Sequence, residues 1–185
     1  MNMKNKKLMI VVSAVLAVII LVAAFFIISG AVKKSKHDKM LENMQSLSYI
    51  NKLAYSGIKM DELKYLADFE NWEFDGDRDT LTYRFENGKI MEFVFKDDGN
   101  GEIWYIRSTN MDIFINEMLP EYKGVEMSRY ELNLLLRREF DLDVDAGRVY
   151  DTVPYNNFFI QLPVAEHGLN TGIFGDEFVV GYKYY

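Results

Sequence analysis

The chain contains no cysteine. That excludes disulfides, thiolate nucleophiles, cysteine-ligated zinc and iron–sulfur clusters. Histidine is almost as scarce. His37 stands among lysines, and His167, in Glu166-His167-Gly168, is the only other one. His167 could serve as a general base with Glu166 or Asp176 nearby, but a lone histidine in such a segment reads first as a surface-loop residue. Also missing are a Gly-x-Ser-x-Gly elbow, a His-Glu-x-x-His pair, a phosphate loop and a dinucleotide fingerprint. The paired carboxylates of a glycosidase leave no local spacing to read. A carboxylate-based envelope hydrolase therefore stands only as an alternative.

Basic residues are lacking where a nucleic-acid binder would need them. Seven of the 21 (Lys4, Lys6, Lys7, Lys33, Lys34, Lys36 and Lys39) precede Met40, whereas only one of the 28 acidic residues, Asp38, does so. The remainder, Met40 to Tyr185, carries 14 basic residues against 27 acidic, a net charge of −13. Phosphate backbones require the opposite sign, so nucleic acid is not an expected partner. Anionic lipid headgroups should repel the same surface, which leaves attachment to some other part of the chain.

That part is a long apolar run. From Leu8 to Ile28 the only polar side chain is Ser13. As a helix this segment is roughly 30 Å long, the thickness of a bilayer hydrocarbon core. A helix also satisfies its own backbone polar groups, which lipid cannot do. A cleaved signal peptide is the competing reading. Its apolar stretch is normally about 7–15 residues, shorter than this one, although Ser29-Gly30-Ala31 resembles a small-residue cleavage site. Lysines flank both ends, so the positive-inside rule does not decide the orientation. A short basic tail before a first helix is the usual form of a signal-anchor, which places the following domain outside the cytoplasm. The expected organisation is a basic tail (1–7), a transmembrane helix (8–28), a basic juxtamembrane linker (29–37) and an acidic globular domain (38–185).

Within the domain, apolar residues at three- and four-residue steps predict a helix over Asp38–Tyr55, ended by Gly57. A short helix is expected over Asp61–Phe69, with Asp61 as its cap. The period then drops to two. Thr80–Glu86, Lys89–Lys96 and Glu102–Ser108 read as an antiparallel meander. The turn Glu86-Asn87-Gly88-Lys89 admits two registers. A three-residue loop with Gly88 left-handed sets Met91 and Phe93 beside Leu81, Tyr83 and Phe85, and is preferred because it buries apolar side chains consistently. Helices return at Met111–Leu119, stopped by Pro120, and from a capping box at Ser128-Arg129-Tyr130-Glu131 to about Phe140. Strands follow at Asn157–Leu162 and Glu177–Tyr185. This order predicts an α+β fold with a mostly antiparallel sheet.

Calcium is the one cofactor that the spacing brings up. Asp75, Asp77 and Asp79 alternate, with Glu86 at the twelfth place, as in a calcium loop. Against it, Thr80 occupies the sixth place, where the loop needs glycine, and residues 80–86 alternate like a strand. Lys96 to Ile103 resembles an EF-hand centre but sets Lys96 and Arg107 where carboxylates belong. Asp141, Asp143 and Asp145 alternate with Leu142 and Val144, and Thr152 falls at the twelfth place, so a strand edge suits them better.

Aromatic residues are the remaining signal. Trp72, Trp104, Tyr105, Tyr182 and Tyr184 are the candidate partner-binding residues, provided that one sheet face is open. Adjacent rings such as Trp104-Tyr105 should then lie on opposite faces of their strand. Together these features predict a membrane-tethered, non-enzymatic binding module at the cell envelope. Its expected partner is an envelope protein or a wall or sugar component, with the hydrolase and a calcium-dependent domain as alternatives.

Overall fold

In the computed structural model, which describes residues 3–127, 129–139, 141, 150–155, 158–163 and 178–182, the apolar run lies within one long helix, α1 (Met3–Asn43). Among the described residues it is the one helix long and apolar enough to cross a membrane, a form shared by membrane anchors and signal peptides. Large apolar side chains along it, Val11, Phe25 and Ile27 among them, are not covered by the rest of the chain, although a helix apolar all round calls for burial in a protein core or a membrane. The expected linker over 29–37 is instead helical. Gly30 does not break it, since a single interior glycine costs only about 1 kcal/mol.

The helix expected over Asp38–Tyr55 is two helices. α1 ends at Asn43, and α2 spans Leu47–Tyr55. Ser46 causes the break. It adopts an extended backbone (φ −101°, ψ 119°), and its hydroxyl accepts the Tyr49 N–H at 3.4 Å, so it starts a helix rather than continuing one. The chain forms two compact units, Met1–Leu41 and Glu42–Tyr185.

In the second unit, α2 is followed by α3 (Met60–Leu63), which tightens into a 3₁₀ segment, Lys64–Asp68. Asp61 does not cap α3 but lies inside its first turn. The cap position is Lys59, whose N–H is bonded by the Glu62 carboxylate at 2.8 Å. The strands are β1 (Trp72–Asp75), β2 (Thr80–Arg84), β3 (Ile90–Phe95), β4 (Ile103–Ser108), β5 (Tyr150–Tyr155), β6 (Phe158–Pro163) and β7 (Phe178–Tyr182). Their order across the sheet is β1-β2-β3-β4-β7-β6-β5, antiparallel throughout. After β4 the chain passes through α4 (Asp112–Met118), a 3₁₀ turn at Pro120–Tyr122 and α5 (Arg129–Glu139). It then enters the far edge at β5 and returns by β6 to set β7 against β4. The fold is α+β with an antiparallel sheet, as the order of patterns predicts. Ser128 and Phe140, the expected limits of α5, lie outside the described residues.

The β2–β3 hairpin takes the three-residue loop. Leu81 is opposite Phe93 and Tyr83 opposite Met91, Gly88 has φ +79°, and the Phe85 N–H donates to the Lys89 carbonyl at 2.8 Å. Both sides of β3 are buried: Met91 and Phe93 on one, Glu92 and Val94 on the other. The first side belongs to the main core. Trp72 packs there against Tyr83 and Phe93, with ring centroids 5.0 and 5.9 Å away. Leu81, Ile106 and Phe114 are buried as well. α2 packs on β4 and β7 and touches α4. Glu117 fixes that junction. Its carboxylate accepts from the Ser46 hydroxyl (2.7 Å), the Ser48 N–H (3.0 and 3.1 Å) and the Ser48 hydroxyl (3.0 Å). A carboxylate from α4 thus caps the otherwise unpaired, electropositive start of α2.

Candidate interaction surface

The aromatic candidates fall into different environments. Trp72 is 7% exposed and belongs to the core, whereas Trp104 on β4 is 48% exposed. The physical reason is a bulge. Val94 pairs with Tyr105, but Phe95 pairs with Ile103, so Trp104 has no partner on β3. An unpaired bulge residue bends its strand and re-aims its side chain. Strict alternation would put the Trp104 and Tyr105 rings on opposite faces, as the sequence suggests. The bulge brings them together instead, edge to face, with centroids 5.1 Å apart and planes at 63°.

Tyr105 is half-buried. On its other side the register sets it opposite Tyr182 of β7, which in turn is opposite Phe159 of β6. One row of the sheet therefore carries an aromatic residue on three adjacent strands, with Trp104 at its border. Tyr184 lies outside the described residues. Two rows along β4, Arg107 pairs with Glu92, which also takes the Thr82 hydroxyl at 3.4 Å. Beside the aromatic row the sheet thus holds a neutralised polar pair, not a free charge.

The acidic candidates become turns. Asp75 ends β1 and sits opposite Thr80. Its carboxylate accepts the Asp77 N–H at 3.0 Å and lies 3.7 Å from Arg78. Asp79 is left-handed (φ +49°), and its carbonyl accepts the Phe95 N–H at 3.0 Å. This is the tight turn of the β1–β2 hairpin. Glu86 lies beyond the other end of β2, roughly 20 Å away at strand rise, so the four carboxylates do not converge. Among the described residues no cluster of three histidine or acidic side chains is placed to hold a metal. Of Lys96 to Ile103, residues 96–102 are the β3–β4 connection, with Gly99 and Gly101 left-handed, and Ile103 begins β4. Asp143, Asp145, Glu166, His167 and Asp176 lie outside the described residues. A carboxylate-based glycoside hydrolase generally needs two carboxylates facing one cleft. Glu92 is the one buried carboxylate among the described residues, and its partner is Arg107.

A second surface feature is not evident from the sequence. Between the segment after the Pro120–Tyr122 turn and α5 lies an open groove of about 460 Å³, lined by Tyr122, Val125, Met127, Leu134 and Leu135, with Glu126, Glu131 and Arg138 at its walls. Val125 is 50% and Leu134 39% exposed. The only sequence signal is that Leu134 falls off the stripe formed by Leu132, Leu135 and Leu136. Comparison with family models, with curated proteins and with solved structures found no match for this chain.

Proposed function

We propose that this chain is a membrane-tethered, non-enzymatic interaction module. Leu8 to Ile28 would cross the bilayer once and hold the acidic domain on the extracytoplasmic side. Retention of the anchor is supported by the length of the apolar run and by the continuity of α1 through Ser29-Gly30-Ala31, because a peptidase requires extended backbone at its cleavage site. The short basic tail before the helix favours the outward orientation of the domain.

The observation that carries the binding reading is Trp104, half-exposed at a bulge and backed by Tyr105. Large rings held rigidly at a surface supply contact area at small entropic cost, which is why they recur at partner surfaces. The partner is another envelope protein or a wall or sugar component, recognised through these rings at the edge of a domain of net charge −13. The test places a photo-cross-linking residue at position 104 or, as a control, at Asn87 in the distant β2–β3 turn. A discrete adduct at 104 and none at 87 is expected in intact membranes. Equal background at both positions would remove the binding surface. A reporter fused to the C-terminus, active on one side only, tests the orientation separately.

A further inference from the structure

We infer that the groove beside α5 is a dimerisation face, and that its occupant is the same groove of a second copy of this chain. The groove leaves apolar side chains uncovered, Val125 and Leu134 above all, and its charges favour its own image. Glu131, Leu134, Leu135 and Arg138 all line it. Along α5 these four fall within an arc of about 100°. The acid stands at one end of this stripe and the base about 10 Å further on, with the two leucines between them.

Such a stripe is complementary to itself once it is turned round. A two-fold axis between Leu134 and Leu135 sets α5 of one copy antiparallel to α5 of the other. Leu134 then meets Leu135 of the second copy, and each Arg138 reaches the acidic end of the facing stripe. Parallel helices would instead stack like charges at both ends. Glu131 already has an interaction within its own chain, so the acid left for Arg138 is Glu126. It is exposed on the facing wall of the groove, three residues before α5 begins. A domain of net charge −13 repels its own copy, so a contact that brings Arg138 to the acidic end is the arrangement that offsets the repulsion. The groove is lined by eight residues, against roughly 20–30 a side in a stable interface. The dimer is accordingly weak and reversible.

The test uses the full chain in detergent micelles, where the lack of native cysteine lets one introduced thiol report on one position. Under mild oxidation Leu134→Cys, beside the two-fold axis, should form disulfide-linked dimers faster than Asn87→Cys in the β2–β3 turn. Added to L134C, E126R and R138E should each slow the linkage about tenfold, since each reversal turns two attractions into two repulsions. Glu126 precedes α5, so its reversal leaves the helix itself intact. Mixed together, the two reversed chains should link to each other at close to the original rate, which a misfolded variant could not do. Equal rates at positions 134 and 87 overturn the interface. A mixture no faster than either variant alone overturns the antiparallel pairing. Dimers that survive Leu134→Glu in sedimentation are made by the apolar part of α1, and they overturn the groove as the dimerisation face.

Discussion

The two tryptophans show how one residue type serves two ends. Trp72 is closed in by Tyr83 and Phe93, whereas Trp104 leaves nearly half its surface to solvent and touches Tyr105. Truncating a buried aromatic side chain costs about 3–5 kcal/mol. Trp72→Ala should therefore lower the stability of the domain by about that much, measured by denaturant unfolding. Trp104→Ala should cost under about 1 kcal/mol, since surface changes away from special features are small. Equal losses would place Trp104 in the core and remove the basis of the binding role proposed for it. The sequence names both rings but does not separate them. Separation depends on a bulge at Trp104 and on β1, whose four residues are too few to display an alternation. Gly88 is the opposite case. Only one register of its hairpin sets Met91 and Phe93 beside Leu81, Tyr83 and Phe85, so the loop geometry is legible from residues 81–93 alone.

At the scale of elements, periodicity locates helices and strands well but says little about their limits. The apolar steps from Met40 to Ala54 run straight across Ser46, because a capping serine leaves the apolar spacing on either side intact. β5 escapes notice because Pro154 argues against a strand. As the last strand in the sheet order, however, it is an edge, where the missing N–H is tolerated. The clamp by Glu117 on α2 was equally hidden, since it joins residues about 70 apart in the chain. Hydrogen bonds to a charged group contribute about 1.5–3 kcal/mol. Glu117→Ala should destabilise the domain by an amount in that range and loosen the first turn of α2. Amide hydrogen exchange should show it as faster exchange at Ser48 and Tyr49, with little change in β2 and β3. Uniform acceleration across the sheet would mean that Glu117 supports the whole core rather than one junction.

For the whole molecule, charge and burial act together at alkaline pH. Burial raises the phenol of Tyr49, helped by neighbouring Tyr65, above its ordinary value of 10.0. Burial likewise raises Tyr65, and burial with the nearby Glu86 charge raises Tyr83. Each group therefore holds its proton more tightly in the folded domain than in the unfolded chain. Their contribution to stability is complete below about pH 10, where both states are protonated. It declines as pH rises through the higher folded values, because unfolding then releases protons. Every phenolate formed also adds a negative charge to a domain already at −13, and self-repulsion opposes the compact state. Stability should be flat with respect to these three groups from pH 7 to 9 and fall above pH 10. The fall should be smaller in the Tyr49→Phe, Tyr65→Phe, Tyr83→Phe triple variant. Salt should lessen only the part that comes from net charge, because the desolvation of partly buried phenols is local while repulsion between surface charges is screened. Thermal melts between pH 7 and 11 at low and high salt separate the two. If the triple variant and the wild type lose stability in parallel at high salt, the phenols are not the cause and general repulsion governs the alkaline limit.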